Sequence, residues 1–306
     1  MFLGKGREQT LELLERAKEL ELKAREVAEG VLIGIHRSRH RGTSIEFSEH
    51  KPYAPGDEIR LIDWKLYAKT DRYFIKQFED ETRIRAYLLL DASGSMAYPP
   101  EKKLLNKFEY GQILALALSW LLLRQGDEVG AGMISQGELL WVPARSGERH
   151  FLALCQLFAQ NHPLGKTQLA KNLSELASRI PARSLLVLVS DFLEPQNQLE
   201  KSIKLLRHRG AELILFQILS PEELEFPFRG LSWFEGLEAE GRILIDPHQL
   251  RKTYLKRLNR LRESLERLGA ELEIDYQSIS TAQNPVQILT EYLLRRAQRR
   301  WRRSRR

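Results

Sequence analysis

From Arg83 onward, the hydrophobic residues of this chain follow two periods in turn. Short apolar runs typical of buried strands are separated by longer segments in which apolar residues recur at helical spacing. The strand-like runs are Arg83–Leu90, Ser184–Ser190 and Glu212–Leu219, and the helical segments are Lys103–Arg124, Glu148–Ala159, Leu169–Ile180, Leu199–Arg209 and Pro247–Leu268. This alternation predicts an α/β fold with a doubly wound, mostly parallel central sheet and helices on both faces.

Further elements are predicted around this repeating pattern. Gln136-Gly137 separates two strand-like segments and is a hairpin signal. The segments that it joins are Glu128–Ser135 and Glu138–Val142, whereas Leu224–Ile245 is predicted to be irregular with short β pieces, Glu271–Tyr276 to be a last strand and Pro285–Gln298 a last helix.

The two ends of the chain differ from this body. Residues 8–29 have the pattern of an amphipathic surface helix, and residues 31–82 combine short apolar stretches with turn signals such as Pro55-Gly56-Asp57. We therefore predict a helix and a β-containing segment over 1–82, an α/β domain over 83–294 and a basic, disordered tail over 295–306.

The net charge of +7 arises from the tail. Residues 295–306 contain eight arginines and no acidic residue, so the rest of the chain has a formal charge of 7 − 8 = −1. Such a tail binds nucleic acid or anionic lipid, or is simply solvated, and we favour the solvated interpretation. The only cysteine, Cys155, excludes an intramolecular disulfide. With no membrane-spanning segment and no signal peptide in the sequence, we expect a cytoplasmic protein.

The end of the first predicted strand carries the strongest chemical signal. Asp91, Ser93 and Ser95 alternate in the motif Asp-x-Ser-x-Ser directly after the run Tyr87–Leu90. Hard divalent cations prefer oxygen ligands, and Mg²⁺ is usually bound by one or two carboxylates together with water. Strand ends are also where α/β sheets place their ligands, although the motif alone is also typical of a polar loop.

Two later loops add oxygen atoms of the same kind. Thr167 precedes a predicted helix, and Asp191 follows the strand Ser184–Ser190. Taken singly, Thr167 is explained as a helix cap and Asp191 as a turn residue. Taken together with Asp91, Ser93 and Ser95, they predict a site for Mg²⁺, or for Mn²⁺, with two carboxylates and three hydroxyls.

The order of these residues resembles the metal-ion-dependent adhesion site of von Willebrand factor A domains. The N-terminal part resembles the signature of the bacterial family called domain of unknown function 58 (DUF58), which joins such a segment to a von Willebrand A-like domain. The similarity is carried by Gly34-Ile35-His36-Arg37-Ser38, by Glu46-Phe47, by Pro-Gly-Asp-x-x-Arg-x-Ile-Asp-Trp ending at Trp64, and by Lys76-Gln77-Phe78-Glu79.

The resemblance implies a non-enzymatic, Mg²⁺-dependent protein-interaction domain. It implies that the hydroxyls of Ser93, Ser95 and Thr167 bind the metal and that Asp91 and Asp191 bind it directly or through water. A partner's acidic residue would complete the coordination. Family members are associated with MoxR-type AAA+ ATPases, so the implied partners are such an ATPase and a client protein.

Two alternatives and one structural expectation complete the predictions. A metal-dependent hydrolase would need a general base, and Glu194 is the only spare acid near the predicted loops. Nucleic-acid binding by the arginine tail is the other alternative. For the signature residues Arg60, Asp63 and Trp64, we expect a structural role, with a buried ion pair beside the aromatic ring.

Overall fold

The computed structural model describes residues 3–40, 50–53, 64–76, 83–99, 105–166, 168–238 and 241–304 of the 306-residue chain. The helices in these ranges are α1 (Leu3–His40), α2 (Trp64–Thr70), α3 (Lys107–Arg124), α4 (Glu148–Ala159), α5 (Leu169–Leu176), α6 (Gln196–His208), α7 (Pro221–Glu225), α8 (Pro247–Leu272) and α9 (Pro285–Ser304). The strands are β1 (His50–Pro52), β2 (Phe74–Lys76), β3 (Arg85–Asp91), β4 (Glu128–Ser135), β5 (Glu138–Arg145), β6 (Leu185–Ser190), β7 (Glu212–Leu219), β8 (Ser232–Glu235), β9 (Arg242–Ile245) and β10 (Asp275–Ser280).

Six of the described strands form the central sheet in the order β5-β4-β3-β6-β7-β10. All neighbouring pairs are parallel except β4 and β5, which form the predicted hairpin at the edge. The strands β3, β6 and β7 are apolar over nearly their whole length because both of their faces are covered. The predicted α/β class with a mostly parallel sheet is confirmed.

Each face of the sheet has its own hydrophobic core. On one face, Leu89 of β3 packs in a cluster that includes Leu173 of α5 and Leu265 of α8. On the other face, Gly111 of α3 lies so close to the sheet that an added Cβ would come 2.8 Å from Leu90 Cδ1. Helix α3 is buried nearly all round, which explains why its sequence is apolar without an obvious polar face.

Helix α1 packs against the α/β core through small residues. Ala17, Ala24, Ala28 and Val31 are fully buried along one side of this helix. The guanidinium of its Arg25 lies 3.9 Å from the ring centroid of Trp120 in α3, a cation–π contact. The small residues on this side of α1 let it lie against the α/β core, so the amphipathic pattern of the N-terminal helix serves packing and not only solvation.

The boundary between compact units differs from the predicted one. Residues Met1–Gly34 belong to the same unit as Ile84–Arg306, and Ile35–Arg83 forms the second unit. The predicted segment 1–82 is therefore divided within α1, because the small-residue face of that helix is used by the α/β core. In the second unit, β1 and β2 pair antiparallel, and Tyr67 stacks on Tyr73 with ring centroids 4.5 Å apart.

The end of the chain also differs from expectation. Helix α8 continues to Leu272, so β10 begins at Asp275 and not at Glu271. Helix α9 continues to Ser304, so the segment expected to be a disordered tail is helical as far as the structure describes it. Within the described residues, no helix is both long enough and apolar enough to cross a membrane.

Candidate metal centre

The strand order places a crevice between the ends of β3 and β6. The chain leaves β3 toward β4 through α3, which covers one face, and leaves β6 toward β7 through α6, which belongs to the core of the other face. Ligands of open α/β sheets bind at such a reversal of strand order, outside the carboxyl ends of the strands. Asp91 and Asp191 lie at these two strand ends.

The first loop gathers three of the predicted oxygen ligands. Asp91 is only 1% exposed, and its Oδ1 accepts a hydrogen bond from the backbone amide of Ser93 at 2.9 Å. The hydroxyls of Ser93 and Ser95 lie 3.1 Å apart. A short 3-10 helix, Gly94–Ala97, begins directly after Ser93. The tight turn therefore brings the alternating residues Asp91, Ser93 and Ser95 into one cluster.

The second loop is joined to the first by a direct side-chain hydrogen bond. The hydroxyl of Ser190, the last residue of β6, donates to Asp91 Oδ2 at 2.6 Å. It also accepts from the amide of Phe192 at 2.9 Å. Phe192 has a φ of 58°, a left-handed conformation that costs on the order of 1–3 kcal/mol for a bulky residue and is often found at functional sites.

The backbone of Asp191 is fixed from the neighbouring strand. Its carbonyl accepts a hydrogen bond from Gln217 Nε2 at 3.0 Å, and Gln217 Oε1 accepts from the hydroxyl of Tyr276 at 2.6 Å. Asp191 Oδ1 accepts from the amide of Leu193 at 3.2 Å. These bonds hold the loop rigidly, although it follows a strand end.

The third predicted loop is bonded to the first on two sides. The amide of Leu164 donates to the carbonyl of Ala92 at 3.0 Å, and the amide of Gly94 donates to the carbonyl of Gly165 at 2.8 Å. Thr167 itself lies outside the described residues, so its role as a metal ligand stays a prediction. The described part of its loop nevertheless reaches the Asp-x-Ser-x-Ser segment.

A lysine that the sequence analysis did not single out lies beside Asp191. Lys107, at the start of α3, has a side chain with no exposed surface. Its Nζ lies 2.8 Å from Asp191 Oδ2 and 2.6 Å from Glu223 Oε1. Although burial opposes the charged form, the attraction of Asp191 and Glu223 outweighs it and raises the pKa of Lys107 above its ordinary value.

The site is rich in negative charge for a buried place. Asp91, Asp191 and Glu223 oppose the single ammonium of Lys107, which gives a formal charge of −2 when all four are ionised. Burial, followed by the charge of Asp191, raises the pKa of Asp91 to about 7, against the lowering effect of hydrogen bonds from Ser190 and Ser93. Burial also raises the pKa of Glu223. A divalent cation would neutralise this excess charge.

The donor set suits Mg²⁺ better than a softer metal. Among the described residues, no group of three or more His, Cys, Asp and Glu side chains is arranged to hold a metal. Any metal centre here must therefore combine the carboxylates with the hydroxyls of Ser93 and Ser95. Oxygen-only coordination with one or two carboxylates and several waters is what Mg²⁺ accepts.

The turn between β8 and β9 covers the first loop. A Cβ added to Gly94 would come 2.1 Å from the carbonyl oxygen of Leu237, so only glycine allows this approach. Phe234 of β8 stacks on Phe226, which directly follows α7. Because Glu223 of α7 pairs with Lys107, the segment from α7 to the β8–β9 turn contacts the site at both of its ends.

Several site residues were missed from sequence, and some left a signal. Glu223 forms a capping box with Ser220, a spacing that is visible in Ser-Pro-Glu-Glu. Gln217 is a polar residue within an apolar strand. Lys107 directly precedes a strongly apolar helical run. These signals mark caps and buried polar groups, but they do not reveal that the three residues meet at Asp191.

The hydrolase alternative depends on Glu194, and the structure gives this residue a structural role. Both carboxylate oxygens of Glu194 accept hydrogen bonds from the first amides of α5, those of Leu169 at 2.6 Å and Ala170 at 3.0 Å. Glu194 therefore caps a helix and is not free to act as a base.

The arginines of α9 whose side chains are described are also engaged. Arg295 donates to Gln277, Arg296 pairs with Glu212 and Asp275, and Arg299 pairs with Asp275. These contacts attach α9 to the edge of the sheet. Nucleic-acid binding by the arginine tail stays a prediction, because only these three of its eight arginines have described side chains.

The signature residues are described only in part. Arg60 and Asp63 lie outside the described residues, so their expected ion pair stays a prediction. Trp64 is 57% exposed and makes an edge contact with Tyr67, with ring centroids 6.2 Å apart. The predicted ion pair beside this ring therefore stays untested.

Comparison with known families gives an assignment for most of the chain. The model of the family described as "Protein of unknown function DUF58" matches residues 49–264. The chain belongs to the DUF58 family. The match includes the signature elements that end at Trp64 and at Glu79, together with the strands that carry Asp91 and Asp191, so the resemblance inferred from the sequence is confirmed.

Among curated proteins, this DUF58 chain is similar to uncharacterized proteins of Mycobacterium bovis and Mycobacterium tuberculosis, with 28% identity over 211 residues. These matches cover 68% of this chain and 65% of each relative, so just under two thirds of the relatives' length is spanned. The uncharacterized protein YeaD of Bacillus subtilis is 26% identical over 124 residues, which is 40% of this chain and 28% of YeaD.

Solved structures with a similar fold include the hypothetical protein BatB of Bacteroides thetaiotaomicron, with a TM-score of 0.45, 12% identity, and coverage of 70% of this chain and 99% of BatB. The von Willebrand A domain of SpRpn10 has a TM-score of 0.38 and 11% identity, and covers 67% of this chain and 92% of that domain. Because these scores are below 0.5, the fold assignment rests on the strand order.

Proposed function

We propose that this DUF58 chain is a metal-dependent protein-interaction module. In this proposal, Asp91, Ser93, Ser95, Thr167 and Asp191 bind Mg²⁺, or Mn²⁺ in its place. One observation carries the proposal. Asp91 and Asp191 lie together at the reversal of strand order, and the hydroxyl of Ser190 binds Asp91. Both aspartates belong to the buried group whose formal charge is −2 when its members are ionised. Such a buried charge is relieved either by protonation or by a bound cation.

The chemistry of the ligands favours binding over catalysis. Hydroxyl ligands carry no charge, so they leave a bound cation able to attract one more anionic oxygen. A carboxylate from a protein partner suits that position. Glu194, the acid nearest in sequence, is used as a helix cap, so no general base for a hydrolase is evident among the described residues of these loops.

The partner is proposed from the family resemblance. Members of the family are associated with MoxR-type AAA+ ATPases, and we propose that such an ATPase, together with a client protein, is the partner of this chain. The exposed leucines beside the site, Leu164, Leu193 and Leu237, are 57%, 47% and 42% exposed, and they offer apolar contact area around an incoming carboxylate.

The test is capture of the purified MoxR-type ATPase encoded nearest to this chain's gene. We expect capture in Mg²⁺, loss of capture in EDTA, and recovery when Mg²⁺ is restored. Asp91→Ala and Asp191→Ala should abolish capture and should also abolish Mg²⁺ binding measured by calorimetry.

A matched control is available at the opposite end of the sheet. Asp127 is a buried aspartate that accepts a hydrogen bond from the amide of Ile84 at 2.9 Å, before the first residue of β3. Asp127→Asn should leave Mg²⁺ binding and capture unchanged. Capture that persists in EDTA, or that is lost equally in Asp127→Asn, would refute the metal-dependent proposal.

A further inference from the structure

Lys107 is placed where neither helix formation nor solvation favours it. It is the first residue of α3, and the positive end of a helix dipole disfavours a cation there. Its side chain is fully buried, and removing an ammonium from water costs several kcal/mol unless anions compensate it. The position of Lys107 therefore requires the carboxylates that surround it.

Both carboxylate partners of Lys107 are held by other contacts. Asp191 Oδ1 accepts from the amide of Leu193 at 3.2 Å, which leaves Oδ2 facing Lys107. Glu223 Oε2 accepts from the amide of Ser220 at 2.8 Å within the capping box of α7, and its Oε1 binds Lys107. The ammonium is thus fixed between a candidate metal ligand and a residue outside the metal centre.

We propose that Lys107 is a fixed internal counter-charge of the metal centre, which limits how strongly the site attracts a cation. This inference rests on the proposed metal site. With Lys107 present, the charge to be balanced is −2, which a divalent cation neutralises. Without Lys107, the same site has a charge of −3 and attracts a divalent cation more strongly.

Glu223 provides the opposite change on the far side of Lys107. Glu223→Gln keeps a side chain of the same shape and reduces the buried charge from −2 to −1. Combining it with Lys107→Met removes one charge of each sign, which restores −2. If charge determines affinity, the two single variants change it in opposite directions and the double variant returns close to the wild type.

The experiment is calorimetric titration of the full chain with MgCl₂ and with MnCl₂. At an effective dielectric constant of about 20, one unit charge within 10 Å of a divalent ion changes affinity by about a hundredfold or more. We expect binding about a hundredfold tighter in Lys107→Met, about a hundredfold weaker in Glu223→Gln, and close to wild type in the double variant. Lys204→Met, in a partly exposed pair with Glu271 at 3.4 Å, should not change the affinity.

The outcomes separate this inference from the proposed function. If the wild type binds a cation and all three site variants bind it more weakly, Lys107 has only a structural role and the inference is wrong. If neither the wild type nor Lys107→Met binds a cation, the metal centre itself is refuted. If Lys107→Met does not fold, Glu223→Gln decides: weaker binding supports the counter-charge, and unchanged or tighter binding contradicts it.

Discussion

Replacing Asp91 with asparagine should make the metal-free protein more stable at neutral and alkaline pH. Asp91 is buried beside the negative charge of Asp191, and its pKa is raised from an ordinary value of 3.8 to about 7. Asparagine has nearly the same shape and no charge. It can still accept the amide of Ser93 and remain beside the hydroxyl of Ser190.

The magnitude and its sign follow from the two pKa values. Between about pH 4 and pH 7, the folded state keeps a proton on Asp91 that the unfolded state has released, so folding is favoured most at low pH. Stability is therefore lost progressively as the pH rises from about 4, and the loss is complete above about 7, where the folded carboxyl is ionised as well. The gap between 3.8 and about 7 corresponds to about 4 kcal/mol.

Urea denaturation in EDTA at several pH values measures this effect. We expect the free energies of unfolding of wild type and Asp91→Asn to be similar near pH 4. By pH 8, the variant should be more stable by up to about 4 kcal/mol. Addition of Mg²⁺ should stabilise the wild type at pH 8 and leave the variant unchanged, because a bound cation favours the ionised carboxylate.

The opposite result has a clear meaning. If Asp91→Asn is less stable than the wild type by the same amount at every pH, the ionised carboxylate is not a source of strain in the folded state. The buried charge of −2 would then be balanced in some other way, and the main physical support for a cation at this site would be lost.

Three further substitutions test contacts around the site by urea denaturation. Gly94→Ala should destabilise the protein by about 1–3 kcal/mol, because the new Cβ must displace the Leu237 carbonyl; no change in the denaturation midpoint would contradict this close approach. Glu194→Ala should cost about 0.5–2 kcal/mol through loss of the α5 cap yet retain Mg²⁺ binding, whereas loss of binding without destabilisation would make Glu194 a metal ligand and not a helix cap. Gln217→Leu should cost about 1–3 kcal/mol, because the Tyr276 hydroxyl loses its acceptor, and an unchanged midpoint would show that this bridge is unimportant.

The ends of several strands and helices were predictable because they depend on the local sequence pattern. The limits of β4, β7 and α4 agree with the predicted ones, since each element is a continuous periodic segment that ends at a polar or turn residue. The predicted start of β10 was wrong, and the reason lies in the tertiary packing. The preceding helix was expected to end at Leu268, but Gly269 lies within α8, where an added Cβ would come 3.1 Å from the carbonyl of Ile274.

That glycine illustrates a general difficulty. A glycine near a helix end usually adopts a left-handed conformation after the last turn. Here Glu273 adopts that conformation, with a φ of 55°, and Gly269 instead lies in tight packing against the Ile274 carbonyl. The residue type is the same in both cases, so the sequence alone does not distinguish the two roles.

The sequence by itself determined which oxygen-bearing side chains stand at each strand end of the site. Asp91, Ser93 and Ser95 are brought together by one turn of chain, so their grouping is local and was predictable. The same alternation of strand and helix predicted a later strand, and Asp191 directly follows its end. Parallel strands in one sheet bring their carboxyl ends to the same edge, which is why the pairing of Asp91 with Asp191 could be expected.

Only the tertiary structure decided the charge of the site. Ser190 is 99 positions from Asp91, Lys107 is 84 positions from Asp191, and Glu223 is 116 positions from Lys107. Nothing in the local pattern around these residues indicates that they meet. Burial then makes their charges interact strongly, because water no longer screens them. The sequence names the oxygen atoms that a cation would bind, and the fold sets how strongly they would attract it.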